Sequence, residues 1–132
     1  MNIQKTILGT LAGFVGLFGL GFLIYVVLFT SVQHTTAAAE GLTRELFPGI
    51  IAFEIIYALL VTIIFQRWAG ISTFMGGLKA GALIGLLLGL CMGLWLYSTT
   101  TLYDQNIVWW QGLTWAVRFG VAGGLIGWVL GR

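Results

Sequence analysis

The sequence has little charge. Only 8% of its 132 residues are Asp, Glu, Lys or Arg, as six Lys+Arg and four Asp+Glu. A soluble domain carries about 25%, and so few charges cannot keep a folded surface of this size in water. A soluble globular domain and a disordered chain are both excluded. Net charge is +2 and the pI is near 9.0, but the cations stand singly at Lys5, Arg44, Arg67, Lys79, Arg118 and Arg132. None of them cluster to track a phosphate backbone, so nucleic acid is not an expected partner. The single cysteine, Cys91, excludes an intrachain disulfide and any CxxC or Cys/His ligand set. Set inside an apolar segment, it reads as a small inert packing residue. The single histidine, His34, has no His or Cys near it in sequence and reads as a solvated side chain rather than a metal ligand. GxSxG, HExxH, Walker A and Rossmann fingerprints are all absent. No cofactor, metal or catalytic set is therefore expected, and the chain is not read as an enzyme. A membrane enzyme would need paired polar groups at one depth, and His34, Glu40, Glu45 and Asp104 are the residues able to supply them.

What the sequence does have is apolar length and glycine: 59% hydrophobic residues, mean hydropathy +1.02 and 20 glycines. Four segments stand out, at about residues 6–30, 47–65, 76–98 and 107–130. Each offers roughly 19–25 residues, or about 28–37 Å of helix, against a hydrocarbon core of about 30 Å. Backbone polar groups must be satisfied within lipid, so each crossing is read as a helix. The alternation of barrel strands does not appear. The first apolar run is too long for a signal-peptide core of about 7–15 residues and is read as a retained span. The expected fold is one all-α domain, 1–132, an integral membrane four-helix transmembrane bundle.

The connections are polar. The longest, 31–46, contains AAAEGLTREL, which suits a short surface helix ended by Pro48. Two shorter ones cover 67–75 and 99–106, where Ser72, Thr73 and Thr99–Thr101 have the character of caps and loop residues. Lys5, Arg67, Lys79 and Arg132 fall on one side of the four spans, with only Arg44 opposite, beside Glu40, Glu45 and Asp104. The positive-inside rule then puts both termini in the cytoplasm. Trp95, Tyr97, Tyr103, Trp109 and Trp110 line the outer interface, and Trp68 and Trp128 the inner one.

Small residues form stripes. Gly77, Gly81, Gly85, Gly89 and Gly93 recur at every fourth position of span three. Four residues turn a helix by about 400°, so they make one slowly winding groove. Span four repeats the device with Gly112, Ala116, Gly120 and Gly124, joined by Gly123, Gly127 and Gly131, and span one carries Gly9, Gly13 and Gly16. Spans one and three share a Lys-to-Tyr glycine-rich pattern, from Lys5 to Tyr25 and from Lys79 to Tyr97, as a duplicated hairpin would leave. In lipid, hydrophobicity cannot pull helices together, whereas close backbone approach at small residues can. These stripes are contact faces, either within the bundle or against a second subunit or larger membrane complex.

Two ionisable residues lie inside spans, Glu54 and Arg118. Each costs about 2.5–3.5 kcal/mol at the bilayer centre on insertion scales. Glu54 lies ~9 Å and Arg118 ~15–16 Å below the outer ends of their helices, a gap that a long Arg side chain spans. Gln111 and Thr114 share a helix face with Arg118, while Glu54 shares its face with Ala58, Val61 and Phe65. An interhelical Glu54–Arg118 contact is expected, with Gln111 and Thr114 nearby. It reads either as a static pair that fixes register or as a proton, ion or anion site.

The segment FQRWAGISTFMGGLKAGALIGLLLGL, 65–90, with Arg67-Trp68-Ala69-Gly70-Ile71-Ser72-Thr73 leading into Gly77, Lys79, Ala80 and Gly81, resembles small uncharacterised four-span bacterial inner-membrane proteins of Bacteroidetes type. The resemblance implies a bacterial inner-membrane location and transfers no activity. The expected function is a packing or accessory component, self-associating or bound to a larger assembly through glycine-striped faces. The alternative is a small oligomeric transporter or channel built on Glu54 and Arg118.

Overall fold

The computed structural model describes residues 3–24 and 47–132. Those residues form four membrane-length helices: α1 (Ile3–Phe22), α2 (Phe47–Ile63), α3 (Phe74–Thr99) and α4 (Ile107–Leu130). Each is long and apolar enough to cross a membrane, α2 together with its continuation to Ala69. The polar stretch holding His34, Glu40, Arg44 and Glu45, with its expected surface helix, lies outside the described residues, as does the end of the first expected span.

The end of α2 differs from the sequence reading. The chain does not leave α2 at Phe65 but widens into a π-helical turn over Ile64–Ala69, so Arg67 and Trp68 are helical rather than part of a loop. Gly70 stops the turn at φ 63°, a left-handed conformation that glycine adopts without a Cβ penalty. The Gly70 and Ile71 N–H groups both donate to the Phe65 carbonyl, the latter at 3.0 Å, and so satisfy an otherwise orphaned acceptor. After this turn Thr73 caps α3, its hydroxyl accepting the Gly76 N–H at 3.0 Å.

Helix α4 is the centre of the bundle. Of its most apolar window 61% is buried, against 22–28% for the other three helices. Its hydropathy of 1.5 equals that of α1 and is below the 2.2 and 2.0 of the second and third spans. A helix that faces lipid must be apolar all round. One surrounded by protein can carry Arg118, Thr114 and a high share of glycine. Its neighbours are α3 on one side and α1 on the other, with α2 lying chiefly on α1.

The α3–α4 seam is backbone against backbone. All five stripe glycines of α3 are buried. A Cβ built on Gly77, Gly81, Gly85 or Gly89 would land on the carbonyl oxygen of Gly123, Phe119, Trp115 or Gln111, closer than real Cβ atoms approach. Each step of four along α3 thus meets a step of four back along α4. The geometry aims an α-hydrogen of each glycine at a carbonyl oxygen, a weak hydrogen bond of about 0.5–1 kcal/mol that matters here through repetition. Towards the Arg132 end the roles reverse: Gly123, Gly127 and Gly131 of α4 press on the Gly77, Thr73 and Ser72 carbonyls.

The expected small residues of α4 face α3 in two ways, Gly123, Gly127 and Gly131 against main chain and the others against side chains. Gly112, Gly120 and Gly124 do not meet α3 backbone head-on: they accept Leu90, Ala82 and Phe74. Ala116 is half-buried. On the other flank, Gly9, Gly13 and Gly16 of α1 receive Thr62, Ile126 and Ala122. The glycines of α1 thus meet mainly side chains, where those of α3 meet main chain.

The remaining core joins α1, α2 and α4 through Leu17, Ala58, Val61, Phe65, Trp115, Phe119 and Ile126. Tyr57 of α2 sets its ring edge-on to both Trp115 and Phe119, with centroids 5.5 Å away at 74° in each case. Trp68, Trp95, Trp109 and Trp128 stay exposed near the helix ends, where amphipathic rings suit a membrane interface.

Candidate intramembrane polar site

Arg118 stands near the middle of α4, roughly 16 Å from its start and 18 Å from its end. Glu54 projects from the buried stripe of α2 that continues through Ala58, Val61 and Phe65. The structure brings the two together: Arg118 Nη2 donates to Glu54 Oε1 in a buried ion pair. Arg118 is 5% exposed and Glu54 3%. The long Arg stem covers the difference in depth between the two helix positions.

The guanidinium has a second acceptor that lies on α1. Its Nε and Nη2 both donate to the Leu17 carbonyl at 3.4 Å. In a helix the carbonyl of residue i points toward residue i+4, whose side chain covers it. Here that residue is Gly21. A Cβ at Gly21 would lie 3.3 Å from Nη2 and 3.4 Å from Nε, tighter than most real contacts. The absent side chain opens the carbonyl to the cation. Arg118 thereby ties α4 to α1 by a main-chain acceptor and to α2 by a carboxylate.

Gln111 and Thr114 are not part of this cluster in the way their helix face suggests. The Thr114 hydroxyl donates to the Trp110 carbonyl at 2.7 Å, within its own helix. Gln111 lines a cleft of about 550 Å³ between α2, α3 and α4, with Phe53, Ile56, Tyr57, Met92, Leu96 and Trp115. Buried Thr62 likewise returns its hydroxyl to Ala58 at 2.7 Å. Glu54, Thr62, Thr114 and Arg118 are the buried polar side chains among the described residues. Below Arg118, the face of α4 that meets α1 and α2 continues as Ala122, Ile126 and Leu130.

One carboxylate oxygen is left over. Glu54 Oε2 is buried and finds no hydrogen-bond donor among the described residues. A buried charge is tolerable when paired and fully hydrogen-bonded, so this half-satisfied carboxylate is the least settled atom of the bundle. No group of three or more His, Cys, Asp or Glu suited to a metal occurs among the described residues. Sequence reasoning reached Glu54 and Arg118 but missed Gly21 and the Leu17 carbonyl. Their signal was the i, i+4 relation between a glycine and the residue whose carbonyl it uncovers.

No family model matches the chain, and neither does any curated protein or solved structure.

Proposed function

We propose that the chain is a bacterial inner-membrane accessory protein with both termini cytoplasmic, a rigid four-helix unit that associates with a second copy or a larger membrane assembly. The observation that carries this reading is where the glycines of α3 are spent. All five α3 glycines are buried beneath α4, so the stripes stiffen the bundle and association falls to the outward faces of α1, α2 and α3. Leu83, Leu87 and Leu94 are more than half exposed on α3, and Ile56 on α2. The single-sided placement of Lys5, Arg67, Lys79 and Arg132 supports the orientation. Native mass spectrometry of protein extracted from its own membranes with lipid retained is expected to show a homo-oligomer or a stoichiometric partner. A bare monomer with nothing co-purifying overturns the reading.

A second reading, a small oligomeric transporter around Glu54 and Arg118, draws on the unpartnered Glu54 Oε2. It requires that liposomes holding the wild type carry a proton, cation or anion flux that Glu54→Gln and Arg118→Ala abolish. Absence of flux in the wild type removes it.

A further inference from the structure

The ends of the bundle differ in charge. Contacts of Gly9 with Thr62 and Leu130, and of Gly127 with Thr73, put the start of α1, the end of α2, the start of α3 and the end of α4 together. Lys5, Arg67, Lys79 and Arg132 therefore share one end. The carboxylate side chains of the described residues lie elsewhere: Glu54 in mid-span, and Asp104 at the opposite end, where it accepts the Asn106 N–H at 3.0 Å. Within the cationic end, a notch of about 370 Å³ opens between the start of α1 and the end of α4.

We propose that this notch binds the phosphate of an anionic phospholipid. Its lining divides by chemistry. Lys5, Arg132 and Gln4 supply cations and an amide, while Leu8 and Val129 supply an apolar wall. Both cations are held in place rather than free to sweep the surface. Lys5 Nζ donates to the Leu130 carbonyl at 3.2 Å, and the Arg132 guanidinium lies 4.7 Å from the centroid of the Trp128 ring. The first turn of α1 opens on the same notch and contains no acidic residue; its positive dipole end is offset by the negative end of α4, so the two side-chain cations set the field.

A lipid fits this notch better than a free anion. Leu8, Leu11 and Val15 follow one another on a single stripe of α1, 47%, 56% and 64% exposed. An acyl chain laid along that stripe places its phosphate at the helix end, level with the headgroups. Basic pockets between spanning helices are recognised as headgroup sites. Two cations favour a net-anionic headgroup over a choline headgroup, whose own positive charge they repel.

The full chain in detergent, titrated with phosphatidylglycerol or phosphatidylcholine and read by native mass spectrometry, tests this. One saturable phosphatidylglycerol adduct is expected. Lys5→Gln with Arg132→Gln should weaken it about 25-fold, from roughly fivefold per cation. Arg67→Gln with Lys79→Gln, at the same end but outside the notch, should change it less than about twofold. Arg132→Gln alone leaves the Lys5 bond to α4 in place and should still lose about fivefold at unchanged Tm, so the test survives if the double variant folds poorly. Equal binding of the two lipids, equal losses in the two double variants, or displacement of the lipid by an equal concentration of inorganic phosphate would each overturn the site.

Discussion

Gly85→Ala is expected to lower the unfolding free energy of the bundle by about 2–3 kcal/mol, and Gly85→Leu to prevent α3 from pairing with α4. The new methyl meets the Trp115 carbonyl oxygen and carbon and the Phe119 Cβ, all within 3.0 Å. These are main-chain atoms and the first atom of a side chain, so no rotamer change relieves the clash. The helices must separate, and the seam has carbonyl contacts to lose on either side of the insertion. Intrinsic propensity acts the other way, since alanine is better than glycine in a helix interior by about 1 kcal/mol, and the net loss is what remains after that gain. Two controls isolate the cause. Gly112→Ala meets the tip of Leu90 first, a flexible group, and should cost much less. Among the described residues nothing lies within 4 Å of a Cβ added at Gly19, so Gly19→Ala should be neutral or stabilising. Reversible unfolding in bicelles orders the three variants, and a Gly85→Ala value equal to that of Gly19→Ala would rule out the backbone seam.

The crossings were legible because the bilayer imposes one demand on every span. About 20 apolar residues are needed, and punctuation such as Asp104, Asn106 and Gly131 marks where that demand ends. The period-four glycines of α3 announced a contact face for a similar reason, since few pressures besides close approach place glycine on one helical stripe. The partner of that face was not legible. What α4 offers α3 is a row of carbonyl oxygens, and residues as large as Trp115 and Phe119 contribute theirs as readily as Gly123 does. A carbonyl has no signature in the sequence, so the glycines of α4 marked its contact face while the row of carbonyls beside them stayed hidden. The same blindness hid the Leu17 carbonyl from the account of Arg118. Glu54 and Arg118 themselves were conspicuous because a charge in a span is expensive enough to need a reason.

Arg118→Met should destabilise the bundle by about 3–5 kcal/mol, and Glu54→Leu by a similar amount, because each leaves the other charge buried without its counter-ion. The bilayer limits the escape routes. A stranded Glu54 has a short side chain that cannot carry its charge out to the headgroups. A stranded Arg118 can snorkel part of the way outward, but doing so abandons the Leu17 carbonyl and the packing over Gly21. The double variant Glu54→Leu, Arg118→Met removes both charges and fills the space with apolar atoms. It should recover most of the loss and lie within about 1–2 kcal/mol of the wild type, giving a coupling energy of at least about 4 kcal/mol, beyond the usual range of about 0.5–3 kcal/mol. Additive penalties in that cycle would mean that the two side chains do not depend on each other. The cycle also separates the two functional readings: a bundle held in register by this pair keeps its oligomeric state and partners once the apolar double variant restores stability. A transporter that works through the pair stays inactive in that variant however stable it becomes.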